Sequence, residues 1–243
     1  MDSSVPTDEQ GFRIRRDQPT RVEAFVDAAF AFAVTLLVVS VGHVPESTGE
    51  LVQAMRGVPA FAASFLLIAR FWRSHRQWSR RFGIEDDYSV RLSLLLVFVI
   101  LVYVYPLRMV AGMAFASFSG GILAEHGGPA IASVADLRAL YVTFSAGYGV
   151  TVIIFTLLYR HALHCASALE LSAHERLHAR LAIVRNLGFL TVAVTSLVLA
   201  LTLPMSNDHP LLYALPGMAY VLIWPYSLWL RHRATRLSPM PGA

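Results

Sequence analysis

The sequence contains no lysine, a single cysteine and few charged residues. Only 15% of its 243 residues are charged, and all 20 basic residues are arginines. With Cys165 as the sole cysteine, an intrachain disulfide is excluded. So little charge is unusual for a soluble domain of this length. The arginines form no compact basic stretch, so a nucleic-acid partner is not expected.

Long apolar runs take the place of charge, since 56% of the residues are hydrophobic and the mean hydropathy is +0.54. A bilayer core requires roughly 20 apolar residues per helix. We therefore predict an all-α integral membrane protein with six transmembrane helices, at about Thr20–Val44, Leu51–Arg73, Tyr88–Ala116, Leu137–Tyr159, Leu181–Leu203 and Leu211–Leu230. Interior prolines predict kinks or helix ends at Pro59, Pro106, Pro216 and Pro225.

The arginines predict the orientation of these segments. They cluster before the first segment, after the second and fourth, and at the C-terminus, whereas the loops Pro45–Glu50 and Pro204–Pro210 contain none. By the positive-inside rule both termini are cytoplasmic. We divide the chain into a cytoplasmic tail (1–19), a six-helix membrane domain (20–231) and a second tail (232–243). The first tail lacks the order of a signal peptide and is expected to be mobile up to about Arg16. Arg108, near an outer helix end, is expected to snorkel to the headgroups.

The first segment carries charges in its first two turns. Thr20 and Glu23 form the T-x-x-E capping box that begins a helix. At about 100° per residue, Asp27 lies on the face opposite an apolar stripe. That stripe comprises Phe25, Ala28, Phe32, Thr35, Leu36, Val39 and His43. An unpaired carboxylate near the membrane is costly, so we expect a partner for Asp27 at the cytoplasmic end of the second segment.

Two motifs resemble those of a known family. The stretch "RVEAFVDAAFAFAVTLLVV" is similar to the R-x-x-x-F-S-D signature and apolar run of the bacterial relatives of the lysosomal potassium channel, the transmembrane protein 175 family. The matching residues are Arg21, Phe25 and Asp27, with Val26 where the family has serine. In "FWRSHRQW", Trp72 and His75 resemble the family's W-x-x-H motif.

The resemblance implies a homotetrameric, leak-type channel selective for potassium ions, with the first helices around the pore. Its apolar constriction would fall at Phe32, Leu36 and Val39, with Thr35 beside them. The two motifs would form a network at the cytoplasmic mouth, comprising Arg21, Phe25, Asp27, Trp72 and His75. If His75 pairs with Asp27, its protonation would couple pH to gating. The resemblance implies neither a cofactor nor a metal and no enzymatic activity, and it places the protein in the bacterial inner membrane.

Two further patterns suggest other functions. Gly147-Tyr148-Gly149 is similar to part of a carbonyl selectivity filter, but it lies within an apolar segment, where small residues usually allow helices to pack closely. His174, Glu175 and His178 fit the H-E-x-x-H pattern of zinc proteases. The alternatives to a channel are therefore a membrane zinc metalloprotease using these residues, or a small transporter.

Overall fold

The computed structural model describes residues 7, 11–15, 18–40, 45–124, 133–203 and 210–237. Within these ranges the chain is helical and contains no β-strand, which confirms that the fold is all-α. The helices are α1 (Arg21–Val39), α2 (Thr48–Arg56), α3 (Val58–Phe82), α4 (Asp87–Phe118), α5 (Val134–His164), α6 (Ala173–Thr202), α7 (Pro210–Met218) and α8 (Ile223–Leu237), and a 3₁₀ turn (Ala219–Leu222) joins the last two.

Four helices, α1, α4, α5 and α6, are long and apolar enough to cross a membrane, and the pair α2–α3 would make a fifth. The protein is therefore a multi-pass membrane protein. At 1.5 Å per residue, α4, α5 and α6 exceed a bilayer core of about 30 Å, so their polar ends project beyond it. In α6 the apolar part begins at Leu181, and the polar turns before it lie outside the predicted segment.

The second and sixth predicted segments differ from the observed helices. Gly57 separates α2 from α3, and the two axes are bent by 46°. Pro59 lies in the first turn of α3, where a missing N–H is tolerated. That helix continues past Arg73 to Phe82 and ends at Gly83, whose φ of 60° suits glycine. The sixth segment is divided into α7, the 3₁₀ turn and α8.

The prolines act differently according to position. Pro216 lies in the last turn of α7 and Pro225 in the first turn of α8, so both flank the 3₁₀ turn that divides the segment. Proline removes a backbone donor, which accounts for the loss of regular helix there. Pro106 lies inside α4, which continues through it. After α4 the chain forms turns at 119–123, and residues 125–132 lie outside the described ranges.

α5 and α6 form the most extensive helix pair, α4 packs on α5, and α1 packs on α3 and α4. Stacked and tilted aromatic rings fill the space between α3, α4 and α5, with Phe71 between Tyr103, Tyr148 and Phe155. Arg108 is buried, so the expectation that it snorkels to the headgroups is wrong.

One end of the bundle, which we name the arginine-rich end, contains residues 11–15 and 18–21, the end of α3, the start of α4, the end of α5 and the start of α6. Here the N-terminal segment 11–15 is packed against the protein, contrary to the mobile tail that was expected. Phe12 is fully buried, contacts Phe82, and lies beneath the Arg81 guanidinium at 4.0 Å from the ring centroid. A cation–π contact and the burial of an aromatic ring both favour the docked segment.

Candidate functional site

α1 begins as its sequence predicts. The Thr20 hydroxyl accepts from the Glu23 backbone N–H at 3.2 Å, and the Glu23 carboxylate accepts from the Thr20 N–H at 3.0 Å. This reciprocal capping box satisfies two of the donors left free at a helix start. The role of Glu23 is therefore accounted for by helix capping.

The helix presents two faces of different burial. Val26, Phe30, Ala33 and Leu37 are buried in the core, against α3 and α4. The opposite face is exposed in the single chain and carries a line of residues spaced by three and four, namely Phe25, Ala28, Phe32, Thr35 and Val39. We name this set the exposed α1 line. Such spacing is the heptad pattern by which helices pack around a common axis.

The predicted constriction residues divide between exposed and half-buried positions. Phe32 and Val39 are 55% and 66% exposed, whereas Leu36 is half-buried and packs partly against the core. The Thr35 hydroxyl donates to the Ala31 carbonyl at 3.2 Å and is exposed. Because that bond uses the proton, the hydroxyl oxygen keeps acceptor capacity toward the outside of the subunit.

Of the predicted mouth network, the structure brings Asp27 and Trp72 together. The Trp72 indole N–H donates to the Asp27 carboxylate at 2.7 Å, which joins α1 to α3. The Arg76 guanidinium lies 5.4 Å from the centroid of the Trp72 ring. Arg21 and Phe25 are exposed in the single chain. Asp27 therefore has the partner that was expected for it on the second predicted segment.

His75 has a different partner from the one considered. Its Nε2 lies 3.0 Å from the Ser93 hydroxyl of α4, and both side chains are buried. The structure thus pairs Asp27 with Trp72 and His75 with Ser93. Ser93 had no motif to mark it, because a serine inside an apolar run does not reveal which helix it faces. Val26, at the family's serine position, is fully buried among apolar residues.

The H-E-x-x-H pattern serves the docked N-terminal segment. Arg15 donates two hydrogen bonds to the Glu175 carboxylate, at 2.8 and 2.9 Å, and the Arg13 backbone N–H donates a third at 3.1 Å. The rings of His174 and His178 contact the ring of Phe12. Glu175 is 1% exposed and already paired, so nothing in this arrangement favours its action as a general base.

The electrostatics of Glu175 follow from these contacts. Burial raises the pKa of its carboxyl, but hydrogen bonds from the Arg15 side chain and from the backbone of Ser172 and Arg13, together with the Arg15 charge, lower it to about 2. A carboxylate with several donors is stabilised in its charged form. Glu175 is therefore a charged anchor for the N-terminal segment.

The Gly147-Tyr148-Gly149 stretch is continuous helix within α5. A side chain at Gly147 would overlap the ring of Tyr103, whereas Gly149 has its nearest neighbours, on Ala193 and Leu190, at 3.7 Å. A selectivity filter needs non-helical backbone whose carbonyls face the ion. These glycines instead allow neighbouring helices to approach closely.

The long apolar helices and the exposed line on α1 define a class of protein, a multi-pass helical membrane protein. Comparison with known proteins gives the family. A profile described as endosomal/lysosomal potassium channel TMEM175 matches residues 21–103, which include α1, Trp72 and His75. A protein named potassium channel from Marivirga tractuosa is 34% identical over 220 residues, covering 88% of this chain and 87% of that protein. The chain therefore belongs to the TMEM175 family of potassium channels.

Other relatives agree with this assignment. A potassium channel of Streptomyces collinus is 33% identical over 97 residues, which cover 37% of this chain and 47% of that protein. The crystal structure of a variant of the potassium channel MtTMEM175, in complex with a nanobody–MBP fusion, superposes with a TM-score of 0.79 at 30% identity, over 95% of this chain and all of that one. A lysosomal potassium-selective channel TMEM175 homologue from Chamaesiphon minutus shares the fold, with a TM-score of 0.57 at 19% identity over 86% of this chain and 96% of that one.

Proposed function

We propose that four copies of this chain form a potassium channel whose pore is lined by α1, with an apolar constriction at Phe32, Thr35, Leu36 and Val39. The observation that carries the proposal is the exposed α1 line, which has heptad spacing and no partner within the described part of the subunit. Because the chain belongs to the TMEM175 family, we expect this line to pack against the α1 helices of identical subunits in a symmetric assembly. The open channel is of the leak type.

The physical role of the constriction follows from its chemistry. A narrow neck of apolar side chains expels water, and an ion then faces a large desolvation cost. Four Phe32 rings at one level would close such a neck, so conduction requires them to move apart. Four Thr35 hydroxyl oxygens at the next level would supply polar acceptors for a partly dehydrated cation. Because the chain belongs to a family of potassium channels, the proposal includes selectivity for potassium over sodium.

The assembly needs a defined orientation. By the positive-inside rule the arginine-rich end faces the cytoplasm, which places both termini there, in the inner membrane of a bacterium. Six spans satisfy this orientation if α2–α3 forms the second and α7–α8 the sixth. Arg21, Phe25, Asp27, Trp72 and His75 then surround the cytoplasmic mouth, where they fix the position of α1.

Potassium flux into proteoliposomes tests the pore. We expect Phe32→Ala to raise the flux at least several-fold, because it replaces four rings by methyl groups at the neck. The matched control is Phe98→Ala on α4, since Phe98 is 64% exposed and also apolar but lies on another helix. That control should leave the flux unchanged.

Three further measurements complete the test. They are the potassium flux of Leu36→Ala, the mass of the detergent-solubilised complex, and the flux with sodium in place of potassium. The mass should correspond to a homotetramer, and sodium flux should be lower than potassium flux. If Phe32→Ala and Leu36→Ala both leave the flux at background, α1 does not line the pore. Uptake that saturates with concentration and requires a counter-ion would instead indicate a small transporter.

A further inference from the structure

Three side chains with metal-binding chemistry meet at the arginine-rich end, outside the proposed pore. Asp86 is the N-cap of α4, His161 lies in the last turn of α5, and Cys165 is the C-cap of α5. Their ligand atoms all lie within 4.8 Å of one another, and the described ranges hold no other group of three such side chains. Thus two helices that run through different parts of the sequence bring an oxygen, a nitrogen and a sulfur ligand together.

The spacing of the ligand atoms fits a small divalent ion after a small movement of Asp86. Bonds of about 2.0–2.3 Å to oxygen, nitrogen and sulfur, at tetrahedral angles, place neighbouring ligand atoms about 3.3–3.6 Å apart. The Cys165 Sγ lies 3.8 Å from the His161 Nε2, close to that spacing. The Asp86 Oδ2 lies 2.5 Å from the same nitrogen, as hydrogen-bonded partners do, and would retreat by about 1 Å to admit an ion.

The surrounding structure restrains the three ligands but leaves the Asp86 Oδ2 free to move away from the His161 Nε2. The Asp86 Oδ1 accepts from the Ser89 backbone N–H at 2.9 Å, so the cap occupies one carboxylate oxygen and leaves the other for an ion. The ring of Tyr88 lies 4.8 Å from the His161 ring, between centroids, and restricts its orientation. Cys165 is half-exposed, so an ion can reach the thiol from solvent.

We propose that Asp86, His161 and Cys165 bind a thiophilic divalent transition-metal ion, Zn²⁺ before others, with a water molecule as the fourth ligand. A thiolate–imidazole–carboxylate set suits zinc and cobalt, whereas magnesium and calcium prefer oxygen ligands alone. On binding, the S–H bond breaks, its proton passes to the buffer, and a metal–sulfur bond forms. The ion would join the start of α4 to the end of α5.

Cobalt absorption tests the site on the purified full-length protein after removal of any affinity tag. We expect Co²⁺ to give a sulfur-to-metal charge-transfer band and the visible bands of a tetrahedral ion, at one equivalent per subunit. Cys165→Ser should abolish the charge-transfer band, and His161→Gln should weaken binding at least tenfold. Asp86→Asn should also weaken binding, because asparagine keeps the helix cap but offers no charged ligand.

His164→Gln is the matched control, since His164 lies next to Cys165 but outside the group of three. It should leave the cobalt spectrum unchanged, and one equivalent of Zn²⁺ should remove the cobalt bands. Circular dichroism and elution volume of each variant report folding. Absence of the charge-transfer band in the wild type overturns the proposal, as does a band that persists in Cys165→Ser. Equal binding by the wild type, His161→Gln and Asp86→Asn also overturns it, because the thiol alone would then hold the ion.

Discussion

The Trp72 indole N–H lies 2.7 Å from the Asp27 carboxylate and ties α1 to α3. Asp27 is stacked one turn beyond Glu23 on α1, and Glu23 is already engaged in capping. The bond therefore gives the second carboxylate its own donor and connects the helix that carries the exposed α1 line to the rest of the subunit. Replacing either Trp72 or Asp27 should therefore weaken the attachment of α1 to α3.

Trp72→Phe and Asp27→Asn should each weaken the attachment of α1. A hydrogen bond to a charged group contributes about 1.5–3 kcal/mol, and exposure places this one at the lower end. Denaturant unfolding in detergent should show a loss of about 1–2 kcal/mol for each variant. The double variant should lose no more than Trp72→Phe alone, because the charge that Asp27→Asn removes acts through the hydrogen bond that Trp72→Phe deletes.

The matched control for that cycle is Trp224→Phe, since Trp224 is 73% exposed on α8. Its combination with Asp27→Asn should be additive. Additive losses for Trp72→Phe and Asp27→Asn would show that the two side chains do not act together.

The docked N-terminal segment depends on Arg15 and Glu175. Replacing Arg15 by alanine removes two hydrogen bonds to a buried carboxylate, which then lacks its main partner. We expect backbone amides of residues 11–15 to exchange with deuterium at least tenfold faster in Arg15→Ala. Arg180→Ala, on an exposed position of the same helix as Glu175, is the control and should leave exchange unchanged. Equal protection in both variants would mean that Arg15 is not needed to hold the segment.

Acidification should release the same segment. The folded-state pKa of Glu175 is lowered from 4.5 to about 2, so its stabilising effect is fully present above about pH 4.5 and is lost as the pH falls toward 2. Deuterium exchange of residues 11–15, extrapolated to a common intrinsic rate, should therefore rise across that window. Glu175→Gln keeps a capping side chain without this titration.

The glutamine variant should exchange rapidly at neutral pH and show a smaller further rise on acidification. Any rise that remains comes from other groups that face the segment. A wild-type segment that stays protected at pH 2 would contradict the assigned role of Glu175.

Features encoded by near neighbours could be predicted from the sequence. The capping box needs only Thr20 and Glu23, three residues apart, and the exposed α1 line follows from a period of 3.6. The α2–α3 break did not follow, because Gly57 inside an amphipathic stretch is compatible with a continuous helix. The predicted second segment ended at Arg73, because the arginines that follow indicated the membrane boundary. The helix α3 continues past Arg73 to Phe82, so its length was underestimated.

Contacts between distant residues could not be predicted, since they depend on how the helices pack. Arg15 and Glu175 are 160 positions apart in the sequence but form a hydrogen-bonded ion pair in the structure. The H-E-x-x-H spacing suggested a set of metal ligands, whereas in the structure these side chains pack and pair with the docked N-terminal segment. The group Asp86, His161 and Cys165 had no sequence signature either. Its members come from a helix cap and a helix end that approach only in the folded chain.

The buried pair His75–Ser93 should be sensitive to loss of the hydroxyl. Ser93→Ala leaves the His75 Nε2 without its partner in a buried site, and an unsatisfied buried polar group costs about 1–3 kcal/mol. Thermal unfolding should shift downward by several degrees. Ser74→Ala on α3 is the control, because that hydroxyl is exposed and bonds only its own helix. Equal midpoints for Ser93→Ala and the wild type would show that the imidazole finds another partner.

Gly147 and Gly149 allow a test that separates helix packing from a carbonyl filter within one motif. Gly147→Ala would drive its methyl group into the Tyr103 ring, whereas at Gly149 the same methyl group would meet Ala193 and Leu190 at an ordinary contact distance of 3.7 Å. Overpacking of this kind typically costs about 1–3 kcal/mol, so Gly147→Ala should lower the unfolding midpoint and Gly149→Ala should not. A filter predicts a different result, namely that both variants lose the preference of potassium over sodium in liposome flux. Unchanged selectivity in Gly149→Ala, together with a destabilised Gly147→Ala, would assign both glycines to the contacts of α5 with its neighbours.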